Sequence, residues 1–390
     1  MKRCLVALAG CFLLAGLAAA DNWPAWRGPR GDGHSNDKDA PLTWSKKDNV
    51  RWKAKLPGPG NSTPIVWGDR VFVTQSLDKK GHQRALLCFD RKDGSERWRK
   101  VVEYGEDEPT HNTNPFCSAS PVTDGNHVYV SHASAGLFCY DWGGKEVWRY
   151  DLGELRQIWG TASSPILFGD MCILWCGPGK RQFLLAVDKK SGQKVWQHDE
   201  PGGKFGKTSA DWLGSWTTPQ IVHVGDHEEL VLGVPRKVKG FDPKTGKELW
   251  SCDGAGPLVY TSPAASADGT VVIFSGYGGA ALAVMAGGTG DVTKTHRLWH
   301  QTKGIPQRIG SPVIVGEHGY LLSENEEAWC FDRLYVPNQE GDCYVLRAAP
   351  KFEQLAVNSL GERMLASPAV ADGEIYLRTY QHLWCLGGIK

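Results

Sequence analysis

A Ser/Thr-Pro pair, a short β-prone run, a glycine-containing turn and a second run recur seven times along this 390-residue chain. The copies are TPIVWGDRVFVT at Thr63, SPVTDGNHVYVS at Ser120, SPILFGDMCILW at Ser164, TPQIVHVGDHEELVLG at Thr218, SPAASADGTVVIFSG at Ser262, SPVIVGEHGYLLSE at Ser311 and SPAVADGEIYLRT at Ser367. Their prolines stand 57, 44, 54, 44, 49 and 56 residues apart. A period of that length marks one supersecondary unit that must stack on its neighbours to bury a core. A second phrase follows within the units: FDRKDGSERW (89–98), YDWGGKEVW (140–148), VDKKSGQKVW (187–196) and FDPKTGKELW (241–250). Each is an Asp-led turn with a glycine, ending in a β-run that carries tryptophan. Together the two phrases read as four short antiparallel strands joined by Gly/Asp turns. The fold class is all-β: a propeller of four-stranded blades.

The 17 tryptophans then acquire a structural role. A twisted four-stranded blade buries both faces against its neighbours, and a ring docked between blades removes about 150–250 Å² from water. Trp98, Trp148, Trp196, Trp250 and Trp299 close successive units and are assigned to equivalent inter-blade sites. The ring also has to close. Residues 50–56 (VRWKAKL) carry a Trp-strand with no Ser-Pro strand before it, and the 367–386 unit has no Trp-strand after it. The first is expected to complete the second and remove a free edge. One stretch breaks the pattern: after WCFD at 329–332, RLYVPNQEGDCYVL follows with no Gly-Trp turn and no new Ser-Pro strand. Residues 311–357 count as two partial blades, giving eight, or as one fused blade, giving seven.

The first twenty residues have the anatomy of an export signal: Lys2 and Arg3, an apolar stretch over 4–17, and Ala18-Ala19-Ala20 before Asp21. Leu8–Cys11 (LAGC) offers a lipoprotein alternative through Cys11, set against the apolar run that continues beyond it. Either way the chain is expected to be periplasmic or secreted. Residues 21–49 are expected to wrap the outside of the ring, with Trp23 and Trp26 as anchors, and 50–390 to form one propeller domain. No later apolar run is long enough to span a membrane. The formal charge of +1 falls to about −1 without Lys2 and Arg3, which gives no reason to expect nucleic acid as a partner. Cys88, Cys139, Cys330 and Cys385 share one repeated slot and are expected to be buried small hydrophobes. Cys172 and Cys176 fall on one face of a strand. No CxxCH or paired CxxC is present.

The D-x-x-x-G-x-x-x-W turns and SP-x-x-x-x-G strands resemble the pyrroloquinoline-quinone-type propeller repeat. That superfamily holds quinoprotein alcohol dehydrogenases and the propeller lipoprotein of the outer-membrane barrel assembly machinery, BamB. WPAWRGPRGDGHS (23–35), NPFCSASP (114–121), SAGLFCYD (134–141) and WGTASSP (159–165) are similar to a subgroup of exported propellers from planctomycete bacteria. The resemblance spans about residues 23–386 and implies eight blades, one of them defective here. For activity it implies little, because one fold hosts many functions. The quinoprotein enzymes hold their cofactor with adjacent cysteines in a disulfide, a stacked tryptophan and Ca²⁺ on Glu, Asn and Asp. This chain has no adjacent cysteines, and its nearest oxygen-rich cluster is SENEE, 323–327. The expectation is therefore a non-catalytic binding or scaffold protein of the cell envelope, a monomer without a resident cofactor or metal. Its partners would be envelope proteins or polymers. The alternative is a quinoprotein oxidoreductase using pyrroloquinoline quinone and Ca²⁺ at an atypical site.

Binding residues are sought on the loops leading into the Ser/Thr-Pro strands, which emerge on one face. PTHNTNPFCSASP carries His111, Asn112 and Asn114; LRQIWGTASSP carries Arg156, Gln157 and Trp159; SADWLGSWTTP carries Asp211, Trp212 and Trp216. GPLVYTSP adds Tyr260, and GIPQRIGSP adds Gln307 and Arg308. Among these, His111, Asn112, Trp159, Trp212, Trp216, Tyr260 and Arg308 are expected to gather at one axial mouth. Aromatics with one cation suit a planar neutral or anionic ligand, or a peptide. The competing reading is that the tryptophans plug the channel. No Ser/His/Asp spacing supports a nucleophile, and no catalytic residue is assigned.

Overall fold

The innermost strands are very short, and their geometry sets the ring. In the computed structural model, which describes residues 22–203, 212–276, 279–303, 310–315, 318–320, 332–348 and 353–387, each Ser/Thr-Pro pair opens such a strand. The hydroxyl of one pair accepts the backbone N–H of its counterpart in the preceding blade: Thr63 N–H to Ser120 Oγ at 2.8 Å, Ser120 to Ser164 at 2.9 Å, Ser164 to Thr218 at 3.0 Å. Thr218 to Ser262 at 2.8 Å and Ser262 to Ser311 at 2.9 Å continue the relay. The recurring hydroxyl satisfies a buried backbone donor that a strand crowded at the axis cannot pair within its own sheet. The proline beside it fixes φ.

The protein is an all-β, seven-bladed propeller. Blade one is Ile65–Trp67, Arg70–Ser76, Gln83–Asp90 and Glu96–Glu103, paired antiparallel in that order. Blades two to five repeat the plan from Val122, Ile166, Gln220 and Ala264. Blade six is irregular, with Val313–Val315 pairing His318–Tyr320, and Asp332–Pro337, Asp342–Ala348 and Gln354–Ser359 forming a second ladder. Blade seven is Ala369–Ala371, Glu374–Arg378 and His382–Leu386. Its fourth strand is Val50–Lys55, antiparallel to His382–Leu386, so the expected closure holds. The fused count of seven is the one realised, one blade per Ser/Thr-Pro strand. Among the described residues the helical content is one 3-10 turn, Ala133–Ala135.

The tryptophan slot works through glycine. Trp148 lies over Gly192 of the next blade, where φ is +71° and an added methyl would sit 2.6 Å from the indole; Trp148 Nε1 donates to Lys189 O at 2.8 Å. Trp196 over Gly246, donating to Pro243 O at 3.2 Å, repeats this. Trp52 over Gly94, donating to Arg91 O at 2.8 Å, does the same across the closure. Trp98 lies over Gly144, but its Nε1 has no partner, because Arg70 reaches the Trp142 carbonyl instead. The D-x-x-x-G turn is thus a receptacle for the preceding blade's indole, and its glycine is required twice, for φ and for space.

Two of the five expected positions depart from this site. Trp250 is fully buried but turns onto its own sheet, over Gly240, and donates to Glu229 Oε2 at 2.6 Å. The reason is an extra strand: Gly290–Asp291 pairs in parallel with Trp250–Ser251 at the blade edge. Trp299 is 42% exposed, since the sequence after it offers no Gly-Trp turn to receive a ring.

Residues 22–49 also depart in part from the course expected. Residues 22–37 cross the inner strands at their far ends instead of wrapping the outside, whereas residues 40–49 do run along the outer part of blade six on their way to Val50–Lys55. Trp23 exchanges two 2.8 Å backbone bonds with Val66, and Thr123 N–H donates to Pro24 O at 2.9 Å. Arg27, 7% exposed, donates to the carbonyls of Pro263, at 3.2 Å, and Pro312. Further on, Trp44 N–H donates to Asn358 Oδ1 at 2.8 Å. Inner strands of two or three residues leave backbone groups unpaired, and the extension satisfies them. Cys88, Cys139 and Cys385 are buried thiols, as their slot suggests, and Cys172 and Cys176 are free and buried too. Cys330 and the 1–20 segment lie outside the described residues.

Candidate functional site

Because the hydroxyl relay holds the inner strands in register, the leading loops emerge together at the end of the channel opposite the extension. The loops of blades four and five are joined by a parallel pairing of Gly214–Ser215 with Leu258–Val259, continued by Trp216 N–H to Val259 O at 2.9 Å. This places Trp216 flat against Tyr260, with centroids 4.7 Å apart and planes 19° from parallel. Trp216 Nε1 donates to Gly160 O at 2.9 Å, which ties in the loop of blade three. Trp159 from that loop meets Trp216 at 5.8 Å and Trp212 edge-on at 4.8 Å. Trp159, Trp212, Trp216 and Tyr260 therefore form one aromatic cluster from three blades. Trp216 is buried, and the other three are half-buried.

The blade-two loop stands beside the cluster. Asn114 Nδ2 donates to Trp159 O at 2.7 Å. His111 and Asn112 are exposed; the His111 imidazole is held by Thr113 Oγ1 at 2.8 Å, and the Asn112 carbonyl accepts from Tyr380 of blade seven at 3.3 Å. Their loop meets the aromatic cluster through Asn114 rather than through these two side chains. Arg308, like Gln307, Asp211 and the 323–327 cluster, lies outside the described residues.

Beneath the mouth sit groups the sequence reading did not single out. Arg378, 1% exposed, donates to Ser62 Oγ, to Thr74 O at 2.7 Å and to Gln75 Oε1 at 2.7 Å, clasping blade seven to blade one. Burial lowers its pKa to about 10, and burial does the same to Arg27 at the other end of the channel. Arg84 pairs with Glu108 and donates to His132 O at 2.6 Å. A histidine at the end of the apolar run VYVSH was the available signal for this buried group.

Metal ligation has one geometric candidate among the described residues, His198, Glu200 and Glu248 on outer strands. Lys239 Nζ already stands 2.6 Å from Glu200 and 3.0 Å from Glu248, so an internal ammonium occupies the space between the carboxylates and offsets one of their two charges. The flat aromatic surfaces of Trp216 and Tyr260 stack on each other, and the acidic cluster lies on outer strands rather than at the mouth.

The fold and the repeat define a pyrroloquinoline-quinone-like β-propeller. Residues 36–116 and 83–335 match the sequence profile of the family described as outer membrane protein assembly factor BamB, and the chain belongs to that family. It is also similar to a polyvinylalcohol dehydrogenase from Sphingopyxis, 22% identical over 271 residues, which make up 60% of this chain and 40% of that enzyme. Among solved structures, the quinohemoprotein alcohol dehydrogenase of Comamonas testosteroni aligns with a TM-score of 0.54 at 12% identity, over 95% of this chain and 81% of that one. A europium-containing methanol dehydrogenase aligns at 0.53 with 9% identity, over 93% and 90%. These likenesses establish the fold. No helix among the described residues is long and apolar enough to cross a membrane.

Proposed function

We propose that this is an exported, non-catalytic propeller that binds an envelope protein or polymer through the loops at its axial mouth. The observation that carries the reading is the cluster of Trp159, Trp212, Trp216 and Tyr260, contributed by three blades and only partly covered. Half-buried rings on a rigid scaffold supply contact area at low conformational cost, which suits a stacking or peptide surface. The export signal of residues 1–20 supports an envelope location. Photo-crosslinkers placed at Trp159, Trp212 or Tyr260 in cells should yield a discrete product, whereas one at the outer-strand residue Val195 should not. Equal labelling from all four positions would refute the site.

The second reading, an oxidoreductase, is favoured by the similarity to polyvinylalcohol dehydrogenase. Purified protein should show no quinone absorbance and no dye-linked alcohol oxidation after incubation with pyrroloquinoline quinone and Ca²⁺. Oxidation in that assay would overturn the non-catalytic reading.

A further inference from the structure

Arg236 stands apart from the other described arginines. Each of the others has a side-chain hydrogen bond or ion pair, whereas the exposed guanidinium of Arg236 has none. Its backbone is unusual as well: φ is +71°, in the left-handed region that an L-residue adopts at a cost. Val234 pairs with Lys237, so Pro235 and Arg236 form a two-residue hairpin tip whose second place ordinarily takes glycine or asparagine. Strain of this kind concentrates at ligand clamps, where a side chain is placed for binding rather than for the fold.

The tip is fixed against the leading loop of blade five. Arg236 N–H donates to Gly256 O at 2.8 Å, and Arg236 O accepts from Gly254 N–H at 3.0 Å. Four residues beyond Gly256, Tyr260 stacks on Trp216, with no more than about 14 Å of chain between them. Arg236 therefore borders the aromatic cluster within the span of a short extended peptide. Ile158, next to Trp159, is 46% exposed, so the surface continues as aliphatic beyond the rings. That favours amino-acid side chains over the hydroxyl-rich face of a sugar polymer.

The charge around the tip has one sign. Gly203 N–H, in the leading loop of blade four, donates to Gly179 O at 2.6 Å, which brings up the blade-three tip with Lys180 and Arg181. Glu154 is 3.9 Å from Arg156, and Asp253 is 2.6 Å from Lys237. That leaves Lys180, Arg181 and Arg236 against Asp151 alone among the described residues of these loops and tips. Arg181 donates to a neutral carbonyl, Leu152 O, at 3.2 Å. Such a patch attracts carboxylates and repels basic segments.

We propose that the mouth recognises an acidic protein segment, with an aspartate or glutamate carboxylate taken bidentately by Arg236 and a neighbouring apolar side chain laid on the aromatic cluster. The inference rests on the partner surface proposed above and names the chemistry that surface selects. The guanidinium fork matches the two oxygens of a carboxylate, and the clasped turn holds its backbone in place.

The test is fluorescence anisotropy of a labelled octapeptide alternating glutamate and phenylalanine, titrated with the full mature chain. Glutamine and lysine analogues are compared, and polygalacturonate is the competitor. The glutamate peptide should saturate at least tenfold more tightly than either analogue, and polygalacturonate should not displace it at equal carboxylate concentration. Arg236→Asn should weaken binding about tenfold. The same variant should raise the urea midpoint, because asparagine suits the left-handed turn. In cells it should cut the product cross-linked from Trp159 about tenfold. Failure of the glutamate peptide to saturate, equal binding of the glutamine analogue, or displacement by polygalacturonate would each overturn the acidic-segment inference and leave the mouth surface standing. So would unaltered binding and cross-linking in Arg236→Asn, or a lowered urea midpoint, which would show that the arginine serves the fold. Absence of any cross-linked product from the unsubstituted chain would instead remove the mouth surface itself, and the inference with it.

Discussion

Replacing Gly192 with alanine tests whether the D-x-x-x-G turn exists to receive the preceding blade's indole. Two penalties add at this position. A non-glycine residue at φ +71° costs about 1–2 kcal/mol. The new methyl would sit 2.6 Å from the Trp148 ring, forcing it outward and breaking its 2.8 Å bond to Lys189 O. Overpacking and a lost hydrogen bond together add about 2–3 kcal/mol. Gly169, in the same blade, has φ +54° and open space around the missing side chain, so Gly169→Ala carries the first penalty alone. Urea denaturation should place Gly192→Ala about 2–3 kcal/mol below Gly169→Ala, with m unchanged. In a Trp148→Leu background the gap should shrink toward zero, since the two residues interact directly. Equal losses in the two glycine variants, or a gap that survives in the Trp148→Leu background, would refute the receptacle.

Trp250→Ala should cost about 3–5 kcal/mol, because it empties a fully buried site and strips Glu229 of a donor, whereas Trp299→Ala should cost under about 1 kcal/mol; urea melts of both variants distinguish them. The folded-state pKa of His132, about 3, lies below its ordinary 6.5, so the stability tied to the neutral ring is complete above pH 6.5 and drains as pH falls toward 3. His132→Gln should therefore flatten the decline in melting temperature across that window, and an unchanged profile would exclude the histidine as its source. Removing residues 22–55 strips the outer strand from blade seven, so amides of His382–Leu386 should exchange rapidly and the freed edge should promote self-association; protection equal to the full chain would show that another segment closes the ring.

The repeat itself encodes the architecture. Ser/Thr-Pro at each inner strand, glycine in each Asp-led turn and tryptophan after it are short-range patterns, and each specifies a hydrogen bond or a φ value that recurs blade after blade. That regularity made the four-stranded unit, the closing strand at 50–56 and the common face of the leading loops legible from residue order alone. The seven-blade count was half legible: the seven Ser/Thr-Pro strands state it, while the irregular 311–357 stretch obscures it. What the sequence does not carry is which surface lies opposite a given side chain. Trp250 and Trp196 end nearly identical phrases, yet one is redirected by a strand beginning forty residues later and the other is not. Arg27 reaches the carbonyls of Pro263 and Pro312, more than 230 residues away, so its place in the channel could not be read from WPAWRGP. His132 and Gln157 come from separate blades, and the two residues come to line one recess only after the blades pack. Local pattern determines strands and turns because those interactions close within a few residues. Burial, rotamer and charge balance are set by whichever distant segment the ring brings alongside, and only the tertiary structure decides them.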